Sequence, residues 1–282
     1  MTYLLFDIGG TKMRVARSED LVKIDAVEKA VTPNKPEEAI ATIVKLAQKM
    51  DVTDVAAIAG GLRGILNENK TGIHHDAILS HWVDFDVAAA LVDEFGDVPV
   101  YLENDTALAG LGESSFGAGQ GIDIMVYHTI STGVGGVKIS SGQIDESSMG
   151  FEPGHQILDI DRTILGPDIN PTLENLVSGA ALEARTGVKA YDIPQSDVIW
   201  LELAQYLAQG MRNTILYWSP DIIVLGGSMM VGDPKIPLEA VRKATVATLD
   251  NFVPCPFITI AALGDEAGLY GAMARITEAD KK

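Results

Sequence analysis

Three short stretches set a strand-like run against a glycine turn: LLFDIGGTK at 4–12, HTISTGVGG at 128–136 and IIVLGGS at 222–228. Glycine lets a backbone approach a bound group closely, and successive N–H groups in such a turn form an anion-binding concavity. Gly9, Gly10 and Thr11, followed by Lys12, could present amides and a hydroxyl to phosphates, with Asp7 near a metal ion. A tight turn with no ligand accounts for the first stretch equally well. Neither G-x-x-x-x-G-K-[ST] nor a strand–G-x-G-x-x-G–helix pattern occurs, which disfavours a P-loop or Rossmann enzyme.

VYLENDTALAGLGE (100–113) puts Asp105 where a strand ends and a helix starts. It can be an N-cap, a general base, or both, since a helix start stabilises a carboxylate. General-base assistance is worth roughly 10²–10⁴ in rate. Asn104 beside it could hydrogen-bond a polyol. GFEPGHQ (150–156) holds Glu152 and His155 on a Gly/Pro turn. Either alone is ordinarily structural; together they suit a polar ligand. His74, His75, His81 and His128 lack metal-ligand partners at helical spacing, and a single cysteine, Cys255, can form neither a multi-cysteine zinc site nor an internal disulfide.

These residues need a scaffold, and the chain alternates strands and helices. A hairpin of strands over Tyr3–Phe6 and Thr11–Arg17 precedes a helix from Pro36, with Ile40, Ile43, Val44 and Ala47 on one face. Further strands are predicted at 54–59, 98–102, 123–129, 137–140, 221–225 and 257–262, and helices at 86–95, 107–113, 198–218 and 266–277. The strand–glycine-turn–strand unit occurs twice, as in a distant duplication. The class is α/β with two lobes and a cleft between them: residues 1–111 with 265–282, and 112–264.

The 282 residues carry 39 acidic and 21 basic side chains, a formal net charge of −18. That field opposes nucleic acid and anionic membrane partners. An anionic nucleotide then needs Mg²⁺, backbone amides and helix starts to compensate. The chain shows no membrane-length apolar run and no secretory leader, which with its cysteine usage points to the cytoplasm.

In sequence order the motifs resemble the ROK family of sugar kinases and sugar-responsive regulators, within the actin-like, ribonuclease H-like sugar-kinase fold. DIGGTK (7–12) is similar to the family's first phosphate motif, END (103–105) to its catalytic-aspartate site and STGVGG (131–136) to its second phosphate loop. EPGH (152–155) resembles the sugar motif ExGH, LENLVSGAAL (173–182) the segment with another sugar-binding glutamate, IIVLGGS (222–228) the adenosine-side turn, and LGDEAGLYGAMA (263–274) the C-terminal helix. The resemblance implies an ATP- and Mg²⁺-dependent hexose kinase, glucose first, with N-acetylhexosamine, mannose or fructose as alternatives. It makes Asp105 the general base and sets Asn104, Glu152, His155, Glu174 and Gly64 at the sugar. Asp7 is then near Mg²⁺, Gly9, Gly10, Thr11, Lys12, Thr132 and Gly133 lie at the phosphates, and Gly226 and Gly227 flank the adenosine. By analogy it also implies a homodimer.

Two departures stand out. Leu165, Pro167 and Thr172 occupy the places of the family's zinc-site cysteines, so no zinc is expected, and the 156–172 loop is expected to be held by Ile157, Leu158, Ile164 and Leu165. In GLRG (61–64), Arg63 replaces the proline of a GxPG turn, and Ser80-His81 stand before Trp82 in place of an asparagine-leucine pair. A sugar-sensing regulator is the non-enzymatic alternative. Such regulators resemble this chain plus an N-terminal helix-turn-helix, which a first strand at residue 3 and the acidic charge disfavour. Polyphosphate is a less suitable donor for so acidic a chain.

Overall fold

A computed structural model describes residues 1–279, so the last three residues of the expected 265–282 segment lie outside it. The chain forms two compact units. The first comprises Met1–Phe116, Glu146–Gly150 and the described residues from Asp265 on; the second comprises Gly117–Asp145 and Phe151–Gly264.

In the first unit, β1 (Thr2–Ile8), β2 (Lys12–Ser18) and β3 (Ala26–Val31) form an antiparallel meander, and β4 (Val55–Leu62) joins β1 in parallel. A small ribbon of β5 (Ile65–Leu66) and β6 (Ile73–His75) leads on to β7 (Val100–Asn104), which pairs parallel to β4. The sheet order is β3-β2-β1-β4-β7. The second unit has β8 (Ile124–Ile130), β9 (Val134–Ser140), β10 (Gln143–Ile144), β11 (Ile222–Gly226) and β12 (Phe257–Ile260), in the order β10-β9-β8-β11-β12. Both sheets therefore run third, second, first, fourth, fifth. The duplication glimpsed in two glycine turns extends to whole sheets.

Helix α1 (Pro36–Lys49) starts on a proline, whose missing N–H costs nothing at a first helical position, and buries Ile40, Ile43 and Ala47. Helices α2 (Val87–Phe95) and α3 (Asp105–Phe116) complete the flank of the first sheet before the chain crosses to the second unit. There α4 (Leu173–Val177), α5 (Gly179–Thr186), α6 (Ile199–Trp218), α7 (Ser228–Val231) and α8 (Leu238–Leu249) follow. Helix α9 (Ala267–Ala279) returns to the first unit. Each unit has its own apolar core: Leu4, Phe6, Ile8, Ile43 and Trp82 in one, Trp200, Leu207, Met211, Ile223 and Leu225 in the other. Among the described residues no helix is long and apolar enough to cross a membrane.

Three local expectations change. The helix predicted at 107–113 starts two residues earlier and runs to Phe116. The strand predicted at 137–140 begins at Val134, so Gly135 and Gly136 pair with Thr129 and His128 inside the sheet. Cross-strand pairing outweighs glycine's poor strand propensity there, and a Cβ at Gly136 would crowd Pro153 Cγ at 2.6 Å. The strand Ala26–Val31 and helix Leu238–Leu249 were not anticipated at all.

Candidate functional site

In the first unit, chemistry-bearing residues gather at the ends of β1, β4 and β7. Hydrogen bonding between neighbouring strands puts Asp7 opposite Gly61 and Leu62 opposite Asn104. A Cβ built on Gly61 would lie 3.1 Å from Asp105 Cα and 3.4 Å from Asp7 Oδ1, so the bare glycine is what lets the two aspartates flank it. Helix α9 closes in from another side. Gly112 of α3 and Gly271 of α9 lie against backbone carbonyls of the facing helix, and a Cβ at Gly268 would stand 3.0 Å from Asp7 Cγ.

Asp105 is not the N-cap. Asn104 holds that position: its Oδ1 accepts the Ala107 N–H at 3.0 Å, and its Nδ2 donates to the Gly64 carbonyl at 3.0 Å. Asn104 therefore braces the start of α3 and the turn after β4, and its second Nδ2 N–H makes no hydrogen bond within the described residues. Asp105, the first helical residue, accepts the Thr106 N–H at 2.7 Å. Burial pushes its pKa up; the Thr106 amide and then Arg63 pull it down, and Asp76 raises it. Desolvation thus outweighs the helix start, and the carboxyl is a stronger proton acceptor than an exposed aspartate. The same burial, with the Asp105 charge, pushes Asp7 up to about 7 against the attraction of Arg14. Arg14 Nη1 reaches Asp7 Oδ2 at 3.2 Å and its Nη2 reaches Asp265 at 3.0 Å.

The hairpin tip departs from expectation at Gly9, whose N–H closes the turn onto the Lys12 carbonyl at 3.0 Å and so is not available to a phosphate. Thr32 Oγ1 donates to the Gly9 carbonyl at 2.8 Å, bracing the turn. The Gly10 and Thr11 amides make no hydrogen bond within the described residues, and Thr11 and Lys12 are exposed.

In the second unit the turn between β8 and β9 is held from several directions. The Ser131 N–H donates to the Gly133 carbonyl, the Gly179 N–H to the Ser131 carbonyl and the Ala180 N–H to the Thr132 carbonyl. Glu174, at the start of α4, accepts the Val134 N–H on Oε2 at 2.8 Å, and a Cβ at Gly133 would stand 2.6 Å from that oxygen. The Thr132 and Gly133 amides make no hydrogen bond within the described residues. Pro153–His155 forms a 3-10 turn that leaves Glu152 and His155 exposed, while Gly154 packs on the Val134 carbonyl. Gly226 ends β11 over the Tyr127 hydroxyl, and Gly227, at φ +83°, caps α7 and lies 2.7 Å, by its would-be Cβ, from Ile130 N.

The 156–172 loop is held only in part by its apolar residues. Of the four, Leu165 is buried and Leu158 packs half-buried on the same core, while Ile157 and Ile164 are exposed. A buried carboxylate does the work: Asp159 accepts the amides of Thr163 (3.1 Å), Ile164 (3.1 Å) and Leu165 (2.8 Å), and Arg162 donates to the carbonyls of Pro167 and Ile169. The sequence reading also passed over Arg14, Asp76 and Asp265. Of these residues only Asp76 carried a local signal, a carboxylate two and three residues ahead of the Ile78 and Leu79 amides it accepts, as in an Asx turn.

Magnesium suits the first unit's chemistry. It keeps most of its waters and binds through one or two carboxylates plus substrate phosphates. Asp7 Oδ1, which takes no hydrogen bond within the described residues and lies by two glycines, could serve as such a carboxylate. No group of three or more His, Cys, Asp or Glu is clustered for a metal among the described residues.

The model of the ROK family matches residues 3–279. The fructokinase of Lactococcus lactis subsp. cremoris is 30% identical over 263 residues, covering 90% of this chain and 87% of its own. Among solved structures, the ROK hexokinase of Thermus thermophilus superposes with a TM-score of 0.83 at 26% identity over 100% of both chains. A ROK family glucokinase from Streptomyces griseus, in complex with glucose and AMPPNP, does so at 0.80 and 26% identity, covering 96% of this chain and 98% of that one. The mixed α/β architecture is therefore the actin-like fold of sugar kinases.

Proposed function

The chain belongs to the ROK family, and from that premise we propose that it is an ATP-dependent hexose kinase with Asp105 as general base. One observation carries the reading: a carboxyl whose pKa burial raises sits at the β7–α3 junction, in the same unit as the unengaged Gly10 and Thr11 amides. A base whose pKa approaches the working pH transfers protons more effectively than an ordinary exposed aspartate.

In this reading a sugar hydroxyl oxygen attacks the γ-phosphorus of ATP, the bond to the β,γ-bridging oxygen breaks, and the hydroxyl proton passes to Asp105. Phosphoryl transfer demands chiefly alignment and charge neutralisation. The amides of Gly10, Thr11, Thr132 and Gly133, with Thr11 and Lys12 side chains, hold phosphates, and Gly226 and Gly227 flank the adenosine. Gly9 serves the turn. Asp7 would hold Mg²⁺, which supplies charge neutralisation on the phosphates. Glu152, His155 and Glu174 hold sugar hydroxyls, and Asn104 and Gly64 shape that side through the bond they share.

Glucose remains the first acceptor to examine, and the relationship to a fructokinase puts fructose beside it. A coupled ADP-release screen across about a dozen sugars with MgATP tests the reading. Sugar-dependent ADP release that Asp105→Asn abolishes supports it; sugar binding by calorimetry with no turnover on any sugar overturns it in favour of a sensor.

A further inference from the structure

Arg63 stands where the sequence departs from its family, and its surroundings give it a defined geometry. It follows β4 directly, and its own N–H donates to the Ile8 carbonyl at 3.0 Å, one residue before the phosphate turn. Its side chain crosses that turn: a Cβ built on Gly10 would be 3.4 Å from Arg63 Cδ. Asp76 fixes the guanidinium, accepting from Nε on Oδ2 at 3.0 Å. Asp76 is itself buried and immobilised, since its Oδ1 accepts the Ile78 and Leu79 amides at 2.7 and 2.6 Å.

Only Nε is engaged. The two outer nitrogens make no hydrogen bond within the described residues, and a third of the side chain is open to solvent. The charge is close enough to act on Asp105, whose pKa it draws down. A bidentate Arg–carboxylate pair, a frequent geometry, would engage the guanidinium's paired face. Here that face is left over, beside unengaged turn amides and a candidate base.

We propose that Arg63 is a catalytic residue that binds the phosphoryl group in transit with its two outer nitrogens, held on target by the Asp76 carboxylate. The proposal rests on the kinase reading. The hydroxyl proton still goes to Asp105 and the bridging oxygen still leaves on ADP. Arg63 donates hydrogen bonds to equatorial oxygens of the γ-phosphoryl as charge builds on them. Arg14 is engaged by Asp7 and Asp265, whereas Arg63 keeps its outer nitrogens, and arginine's planar fork matches phosphate oxygens.

The test uses the sugar found by the ADP-release screen. Arg63→Met is expected to lower kcat on the order of 10²–10³-fold, with the calorimetric Kd for sugar nearly unchanged and the melting temperature lowered by the loss of Asp76's ion-pair partner. Arg63→Lys should recover at least about tenfold of that loss, since a point charge replaces part of the fork. A transition-state readout separates this role from a structural one. In wild type with sugar, aluminium fluoride should tighten MgADP inhibition strongly; in Arg63→Met it should tighten it little, with MgADP alone binding as before. Arg63→Gln, which can still donate to Asp76, replaces Met if that variant does not fold. A kcat within about threefold of wild type, or full aluminium fluoride tightening in the Met or Gln variant, overturns the proposal while leaving the kinase reading intact. A wild type that phosphorylates no sugar removes both.

Discussion

Glu174 Oε2 accepts the Val134 amide at 2.8 Å, so a residue expected at the sugar is fastened to the glycine turn expected at the phosphates. Forty residues separate the pair in sequence. Glu174→Ala leaves a buried N–H without its acceptor, a cost of about 1–3 kcal/mol. Its KM is therefore expected to rise for both ATP and sugar, on the order of tenfold each. Exposed Glu152 makes the control: Glu152→Gln should raise the sugar KM alone. Steady-state kinetics with each substrate varied decides it, and an unchanged ATP KM in Glu174→Ala removes the link.

Asp105→Asn keeps the side chain's size and its bond from Thr106 but cannot take a proton. Turnover is expected to fall by roughly 10²–10⁴, with sugar affinity retained in calorimetry. Near-normal turnover with intact binding would place the base elsewhere.

His128 is buried in β8, with Nε2 at 3.0 Å from Thr214 Oγ1 and Trp218 stacked nearby at a 6.1 Å ring separation. Burial pushes its pKa down from the ordinary 6.5 to about 4, with the Gly135 backbone opposing. The folded state therefore resists a proton that the unfolded chain accepts. Stability from this group is complete above pH 6.5 and is lost as pH falls from there towards 4. The full change is about 3 kcal/mol at 1.36 kcal/mol per unit. Urea unfolding at pH 7, 6 and 5 should show a steeper decline in wild type than in His128→Gln; parallel declines refute the assignment.

The carboxylate of Asp159 ties three amides of the 156–172 loop. Asp159→Ala strands them and should lower stability by about 1–3 kcal/mol, with Asp159→Asn milder because one oxygen still accepts. Amide hydrogen exchange at 163–165 should speed up in the alanine variant. Unaltered exchange there would mean that the loop is held by other contacts.

Much of the candidate site was readable along the chain. Each glycine turn, the END junction and the EPGH turn are made by residues a few positions apart, and turn and cap preferences act over that range. Strand patterns likewise located β1, β4, β8 and β11, since a buried parallel strand is a near-continuous apolar run. Boundaries shifted where a neighbour intervened, as at Gly135 and Gly136, which a sheet partner draws into β9.

The order of motifs, the α/β class and the positions of Asp7, Asp105 and the three glycine turns were determined by the sequence alone, because local backbone chemistry and hydropathy dictate them. Which atoms those residues engage was decided only in the folded molecule. Asn104 rather than Asp105 caps α3, Gly9 closes its own turn, Arg63 finds Asp76 across thirteen residues, and Glu174 finds Val134 across forty. The reason is physical: a hydrogen bond or ion pair reaches about 3–4 Å, and what lies within that reach is set by strand register and helix packing, which join parts of the chain that no local pattern connects.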